Sequence, residues 1–366
     1  VTIAHLHLLH FKNYEELRLD FSPRINCFTG NNGQGKTNIL DALYYLSYCK
    51  SYFNSADALN IKKGEKFFLI SGNYRLAQRT EEITCAFETG VGKKFKRNKK
   101  EYERLADHIG LLPLVMSSPG DILLILEGSE TRRRFLDAFL AQFDRPYLEH
   151  LLHYQRALMQ RNALLKKMAH QGGDFSLLDA LDFQLVQYGL PIFEARKAFA
   201  AEFSPIFNDC YLRIAGGDEK VSLQYAGQTG GEDFSALLRA QQGRDLQLGY
   251  TSVGPHKDDL HFVLEDRQVK RFASQGQQKT FLVALRFAQA IYSASRLDAK
   301  PILLLDDIFD KLDESRVEAI VRMVHDTDFG QIFITDTDTL RMRSILDRIG
   351  REYKIYLVEK GAVKEL

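Results

Sequence analysis

The chain has 366 residues, 45% of them hydrophobic and 27% charged, with 49 Lys and Arg against 48 Asp and Glu for a net charge of +1. Such a length suggests two domains and can bury a large core without disulfides or structural metal. The near-zero charge excludes a histone-like polycation, so any nucleic-acid surface has to be a local patch.

The opening residues, VTIAHLHLLHFKNYEELRLDF, have neither the basic start nor the unbroken apolar core of a leader. They read as strands over Ile3 to Leu9 and Leu17 to Phe21, with a third over Arg24 to Phe28. A Gly-rich stretch over 30–37 precedes a helix through Leu46, whose apolar positions are 39, 40, 43 and 46. Phe67 to Tyr74 and Ile83 to Glu88 read as strands, and Lys93 to Lys100 as a basic hairpin or loop.

The middle of the chain is helical in pattern. Thr131 to Phe143 forms one helix, and Pro146 opens a second that runs to about Met168 and stops at Gly172-Gly173. A third begins near Phe175. Leu151, Leu158 and Leu165 repeat every seven residues, as do Leu178, Leu185, Ile192 and Phe199, with Leu181, Tyr188 and Ala195 interleaved. Such heptads mark helices packed side by side, and Pro191 is expected to kink the third. Two antiparallel helices of about 23 and 30 residues would reach roughly 35–45 Å. A projecting arm or lid and a compact bundle are both consistent with this.

The last third returns to alternating elements. Gln275 to about Ser295 reads as a helix, and Ile302 to Leu305, ending in Asp306-Asp307, as a strand buried on both faces. A helix to His325, a strand over Gln331 to Thr335, a helix over Leu340 to Ile349 and a strand over Tyr353 to Val358 complete a parallel α/β pattern. No run of 18 apolar residues suggests a membrane span. Cys27, Cys49, Cys85 and Cys210 fit no metal knuckle, and a reduced cytoplasmic setting is the simple reading.

The loop Gly30-Asn31-Asn32-Gly33-Gln34-Gly35-Lys36-Thr37, followed by Asn38, matches the P-loop pattern in full. Glycines let backbone N–H groups turn inward as an anion nest, and the following helix adds its positive end. Lys36 is placed to reach the β and γ phosphates of ATP, and Thr37 to ligate Mg²⁺. Asp306, at the end of a hydrophobic strand, is the matching Mg²⁺ ligand. Asp307 either orients the attacking water or caps the next turn. Some 270 residues separate Lys36 from Asp306, so a large insertion splits the nucleotide-binding fold.

At these residues the chain closely resembles the RecF family of DNA-repair ATPases, which belong with the ABC-type heads of SMC-like proteins. The likeness is carried by LHLLHFKNYEELRLDFSPRINCFTGNNGQGKTNILDALYYLS, by the Arg133-Arg134-x-Leu136-Asp137 region, and by GYTSVGPHKDDLHF. It continues through FASQGQQKTFLVALRFAQA and ILLLDDIFDKLD. It implies an α/β ABC-type ATPase head with a mixed sheet, formed by residues 1–110 and 250–366, plus an inserted, mainly helical arm or lid over 111–249. Ser274, Gly276 and Gln277 match an ABC signature, with Gln275 where the generic signature has glycine. In the family's relatives the signature of one subunit closes over the ATP of the other, which implies an ATP-dependent homodimer. Asp310, Leu312 and Asp313 match the D-loop, although Asp310-Lys311 replaces its usual Ser-Glu. Asp307 stands where generic ABC ATPases have Glu, and slow hydrolysis is expected. Thr335-Asp336-Thr337 replaces the generic switch histidine, and Ser118 to Asp121 is the nearest equivalent of a Q-loop.

Six cations lie among residues 93–100: Lys93, Lys94, Lys96, Arg97, Lys99 and Lys100. They suit phosphate contacts or a solvated hairpin. Lys62, Lys63 and Lys66 form a weaker cluster. Arg132, Arg133 and Arg134 start a helix against its dipole and need a carboxylate, an anion or an interface to compensate. Phe11 and Tyr14 are candidates for packing near adenine, with the core as the alternative for Phe11. No base-reading motif is present, so binding should follow DNA shape and backbone. The resemblance implies a cytoplasmic, nucleoid-associated protein of recombinational gap repair and replication-fork maintenance. It would load recombinase at single-strand/double-strand DNA junctions with RecR and RecO as partners. An SMC-like DNA end processor and a transporter ATPase subunit are the alternatives. The short arm and the absence of a nuclease constellation oppose the first; the inserted segment and missing switch histidine oppose the second.

Overall fold

The computed structural model describes residues 1–77, 79–171, 175–228, 233–297, 299–310 and 312–366. The expected helix stop at Gly172-Gly173 therefore lies outside the described residues. The chain divides into two compact units. The head unit holds Val1–Asp121, Asp209–Asp218 and Gln275–Leu366, and the inserted unit Ile122–Asn208 and Glu219–Ser274. These boundaries fall at 121/122 and 274/275, against the expected 110/111 and 249/250. Two short strands explain the shift. Leu114–Ser117 pairs with Ile302–Leu305 and so stays with the head. Asp259–Leu264 pairs with Val221–Ala226 and so stays with the insertion.

The head unit carries two six-stranded sheets. One is antiparallel, in the order Tyr14–Asp20, Thr2–Phe11, Phe67–Leu76, Arg79–Glu88, Gly92–Arg97, Lys100–Glu101. The other runs Ala362–Glu365, Tyr353–Glu359, Ile25–Thr29, Ile332–Asp336, Ile302–Leu305, Leu114–Ser117 and is parallel except at its first pair. The continuous run Ile302 to Leu305 is buried throughout, as expected of a strand covered on both faces. The helix Lys36–Tyr48 contributes Ile39, Leu40, Leu43 and Leu46 to one core. That core also takes Leu6, Leu8, Phe68 and Ile70 from the antiparallel sheet and Phe28, Leu304 and Phe333 from the parallel one. Gln331 fastens the sheets. Its buried side-chain oxygen accepts from Ile3 N at 2.8 Å, and its amide donates to Ile3 O at 2.9 Å and Ser22 O at 2.7 Å.

This strand order fixes where the chemistry sits. In a parallel sheet, ligands bind beyond the carboxyl ends of the strands. Here those ends present Thr29, Asp336, Leu305 and Ser117 side by side, with Thr29 opposite Asp336 and Leu305 opposite Ser117. The P-loop leaves from Thr29, and Asp306 follows Leu305.

The inserted unit contains the helices Ser129–Leu140, Arg145–Gln171 and Phe234–Leu248, most of Phe175–Ala215, and a three-stranded antiparallel sheet. The heptad positions Leu178, Leu185, Ile192 and Phe199 are all buried, at 2% exposure or less. The third helix is longer than expected, at 41 residues, because it continues through both Pro191 and Pro205. Proline in a helix interior costs about 3 kcal/mol. Buried Ile192, Phe193, Phe199 and Phe203 on the same helix supply the packing that offsets it. Arg161 is fully buried, with Nε donating to Asp182 at 2.5 Å and Nη1 to Asp245 at 2.7 Å.

Candidate nucleotide site

The P-loop leaves its strand through glycines in the left-handed region. Gly30 has φ 138° and Gly35 φ 111°. A side chain at Gly30 would collide with the Val358 carbonyl, and one at Gly35 with Asn13 and the Tyr14 hydroxyl. Both positions therefore require glycine for space as well as conformation. Asn31, Asn32 and Gly33 form the exposed crest of the loop.

The loop is buttressed from outside. Tyr14 Oη donates to Gly35 O at 3.0 Å, Asn13 Nδ2 to Gln34 O at 3.2 Å, and Asn38 Nδ2 to Asn13 Oδ1 at 2.7 Å. Lys360 N donates to Gln34 Oε1 at 2.5 Å. Phe11 and Tyr14 are both fully buried, and Phe11 packs edge-on against Phe68 at 5.4 Å. Phe11 is thus core, and Tyr14 acts on the loop backbone.

Lys36 is 5% exposed, and its ammonium donates to Gly30 O at 2.7 Å and Asn31 O at 3.0 Å. The charge is folded back into the loop, where an anion would be held. Thr37 Oγ1 donates to Asp306 Oδ1 at 2.9 Å, with Oδ2 at 3.1 Å. The fold thus joins two side chains 269 positions apart in the chain. A hydroxyl and a carboxylate are the hard oxygen donors that suit Mg²⁺.

A second hydroxyl completes the arrangement. Thr335, fully buried, donates through Oγ1 to Asp306 Oδ1 at 2.7 Å and accepts from Asp307 N at 2.9 Å. Asp307 has φ 47°, so its backbone turns sharply after the strand. Its carboxylate oxygen lies 3.5 Å from Thr335 Oγ1, too far for a good hydrogen bond. Burial pushes Asp306 up to about 6, against the opposing hydrogen bonds from Thr335 and Thr37. Burial also raises Asp307, with Lys36 opposing. Within the segment matched to the switch, Thr335 is therefore the side chain in contact with the carboxylates. Asp336 is instead paired with Arg341.

The signature residues fall at the start of the Gln275–Arg296 helix, where Ser274 is exposed just before it. Gly276 is a close approach, since a Cβ there would lie 2.9 Å from Arg316 Nη1. In the D-loop segment Asp310 N donates to Asp307 O at 3.2 Å. Asp313 caps the next helix by accepting from Arg316 N at 2.9 Å. Lys311 lies outside the described residues. At the proposed Q-loop position Asp121 is committed to a buried pair, accepting from Arg286 Nε at 2.8 Å and Nη2 at 2.6 Å.

The six-cation hairpin is not a uniform positive face. Lys93 donates to Cys49 O at 2.8 Å and pairs with Asp57 at 3.0 Å. Arg97 makes a two-point pair with Glu81 at 2.7 and 2.9 Å. Lys94, Lys99 and Lys100 remain exposed, with Lys96 half-buried. Lys62 pairs with Glu15 at 2.7 Å. In the inserted unit Arg132 forms a two-point pair with Asp259 at 2.8 and 2.9 Å, and Arg134 pairs with Glu130. Carboxylates thus compensate two of the three cations at the start of that helix. Asn13 and Lys360 were not legible as site residues, and Tyr14 was legible only as a candidate near adenine, because each acts through a contact that only the folded sheet creates.

A family model described as the RecF/RecN/SMC N terminal domain matches residues 2–364. A DNA replication and repair protein RecF of Parabacteroides distasonis is 48% identical over 361 residues, covering 99% of this chain and 98% of that protein. Its counterpart in Flavobacterium johnsoniae is 48% identical over 352 residues, covering 96% and 98%. Among solved structures, the recombination mediator protein RecF-ATP of the RecFOR pathway superposes with a TM-score of 0.90 at 27% identity, covering 100% of this chain and 97% of that one. A Pyrococcus furiosus Smc head domain with an extended coiled coil shares the fold, with a TM-score of 0.59 at 16% identity and coverage of 100% and 96%. The architecture is accordingly an ABC-ATPase-like head with a mixed sheet and an additional helical part. Among the described residues no helix is long and apolar enough to cross a membrane.

Proposed function

The chain belongs to the RecF family, and from that premise we propose a Mg²⁺-dependent ATPase whose nucleotide state governs its grip on DNA. It is an ATP-dependent DNA-binding protein of recombinational and replication repair. The observation that carries the nucleotide reading is the Thr37–Asp306 contact beneath a complete P-loop. Thr37 and Asp306 would hold Mg²⁺, which when bound neutralises charge on the phosphate oxygens. Lys36 exchanges its two carbonyl partners for phosphate oxygens. Gly30, Asn31, Asn32, Gly33, Gln34, Gly35 and Asn38 shape the loop that receives them. Thr335 keeps Asp306 oriented and holds the Asp307 backbone. Asp307, partly buried and one methylene shorter than Glu, then positions water loosely, in keeping with slow turnover.

Ser274, Gly276 and Gln277 are exposed or half-exposed at a helix start. They would meet the ATP of a second copy, making the active species an ATP-dependent dimer. DNA is contacted through backbone phosphates, with Lys94, Lys96, Lys99 and Lys100 as the available cations of the hairpin. Loading at single-strand/double-strand junctions, partnership with RecR and RecO, and association with the nucleoid complete the proposal. Titration of a fluorescent ATP analogue tests the nucleotide reading. Lys36→Ala should abolish tight Mg²⁺-dependent binding while far-UV circular dichroism stays unchanged. Equal affinity in the variant would remove Lys36 from the site.

A further inference from the structure

The inserted unit contains a cavity of about 370 Å³, lined by Arg133, Tyr154, Gln155, Leu158, Ile192 and His256 among others. Its charges do not balance. Of the three guanidiniums that line it, Arg134 pairs with Glu130, and Arg196 donates through Nη2 to Asp137 at 2.7 Å. Arg133 donates through Nη1 to the Asp258 carbonyl at 2.6 Å, a neutral partner. Among the described residues it has no ion pair, and its Nε and Nη2 donate to no protein atom.

The neighbouring polar groups are already committed. Burial lowers the His256 imidazole to about 4, so the ring is neutral at pH 7. Its Nε2 lies 3.0 Å from the Thr251 carbonyl, which can only accept, so Nε2 carries the proton. Nδ1 is then a bare acceptor, and Tyr154 Oη donates to it at 2.7 Å. Neither group can donate to a ligand without giving up this chain. One guanidinium edge is left, beside the aliphatic walls of Leu151, Leu158 and Ile192 and the ring of Pro255.

We propose that this cavity binds a carboxylate carried on an apolar peptide segment, with Arg133 as the anchoring cation. Three cations against two carboxylates leave one positive charge, which a monoanion neutralises. The free Nε–Nη2 edge matches the two oxygens of a carboxylate. A phosphodiester has no apolar body to set against Leu158 and Ile192, and a doubly charged phosphate would add to the field of Glu130 and Asp137. The volume lies at the low end for ligand pockets, enough for one carboxylate-bearing residue and its apolar neighbour. A chain-terminal carboxylate and an acidic side chain offer the same chemistry, and the test separates them.

The experiment is fluorescence anisotropy on the full chain without ATP or DNA, so its outcome is independent of the nucleotide reading. The probe is a fluorescein-labelled decapeptide ending in Asp-Leu-Phe with a free terminus, alongside its C-terminal amide and its Asp→Asn form. Saturable binding is expected, with one of the two altered peptides weaker by about tenfold or more, as a lost charge-assisted hydrogen bond implies. The weakened form identifies the carboxylate used. Arg133→Met should cause a similar loss. Gln155→Glu, an exposed substitution that leaves the Arg133 hydrogen bond in place, should weaken binding by repulsion; Arg134→Met should change affinity little. Absence of saturable binding, equal affinity for all three peptides, or unchanged affinity in both Arg133→Met and Gln155→Glu would overturn the proposal. Displacement of the peptide by equimolar inorganic phosphate would also overturn it, by assigning the cavity to phosphate.

Discussion

Asp306→Asn should do two opposite things: abolish Mg²⁺-dependent nucleotide binding and stabilise the nucleotide-free protein. Burial raises the Asp306 pKa from its ordinary 3.8 to about 6. A raised carboxylate pKa means the folded state binds the proton more tightly than the unfolded chain. Its stabilising contribution is therefore complete below 3.8 and is lost as pH rises through about 6. Each pH unit of this difference is worth about 1.36 kcal/mol, so ionised Asp306 costs the folded protein roughly 3 kcal/mol at pH 7.5. By pH 5 that cost falls to about half. Asparagine mimics the protonated acid but cannot accept as well from both Thr37 and Thr335, so about 1–2 kcal/mol of the cost should be recovered. Thermal unfolding of both proteins at pH 7.5 and pH 5, without nucleotide, measures this. The variant should melt higher at pH 7.5, with the gap shrinking at pH 5. A variant that melts lower at pH 7.5, or a gap independent of pH, would refute the assignment of Asp306 as a buried charge held ready for a cation.

Asp307→Asn should leave Mg²⁺–ATP affinity nearly unchanged but lower kcat by about 10²-fold; equal turnover would make Asp307 a structural turn residue. Thr335→Val removes the hydroxyl that joins Asp306 to the Asp307 backbone, and should raise the Mg²⁺ concentration needed for half-maximal turnover, which a Mg²⁺ titration of steady-state hydrolysis reads directly. Neutralising Lys94, Lys96 and Lys99 together should weaken duplex DNA binding and reduce the slope of log affinity against log salt by about 2–3. Arg97→Ala, by contrast, should cost mainly stability, because Arg97 is held by Glu81.

The parallel sheet was legible because its strands are buried on both faces and announce themselves as short aliphatic runs, as Ile302 to Leu305 does. The P-loop was legible because a nest of backbone N–H groups restricts the residue types at fixed spacing. Strands such as Leu114–Ser117 and Val221–Ala226 were not legible. They are only four and six residues long, and the first residue of each, Leu114 and Val221, pairs with a residue 188 and 43 positions away, Ile302 and Leu264. Thr335 could be located as a switch position, but its bond to Asp306 arises from the alignment of neighbouring strands. The Arg161–Asp182–Asp245 cluster gave no signal, because a buried charge is known only once its partners are in place. The six hairpin cations looked equivalent in sequence, yet Glu81 and Asp57 neutralise two of them.

In the proposed mechanism, ATP held by Lys36, Thr37 and Asp306 joins two copies through their Ser274 segments. Sedimentation velocity with Mg²⁺ and a nonhydrolysable ATP analogue tests it most directly, on the unsubstituted chain and on Ser274→Arg. The unsubstituted chain should pass from monomer to dimer only when the analogue is present. Ser274→Arg should bind the analogue through its own P-loop yet stay monomeric, because the added cation obstructs closure over the partner's nucleotide. Dimerisation of Ser274→Arg indistinguishable from that of the unsubstituted chain, or no analogue-dependent dimer of either, would contradict it.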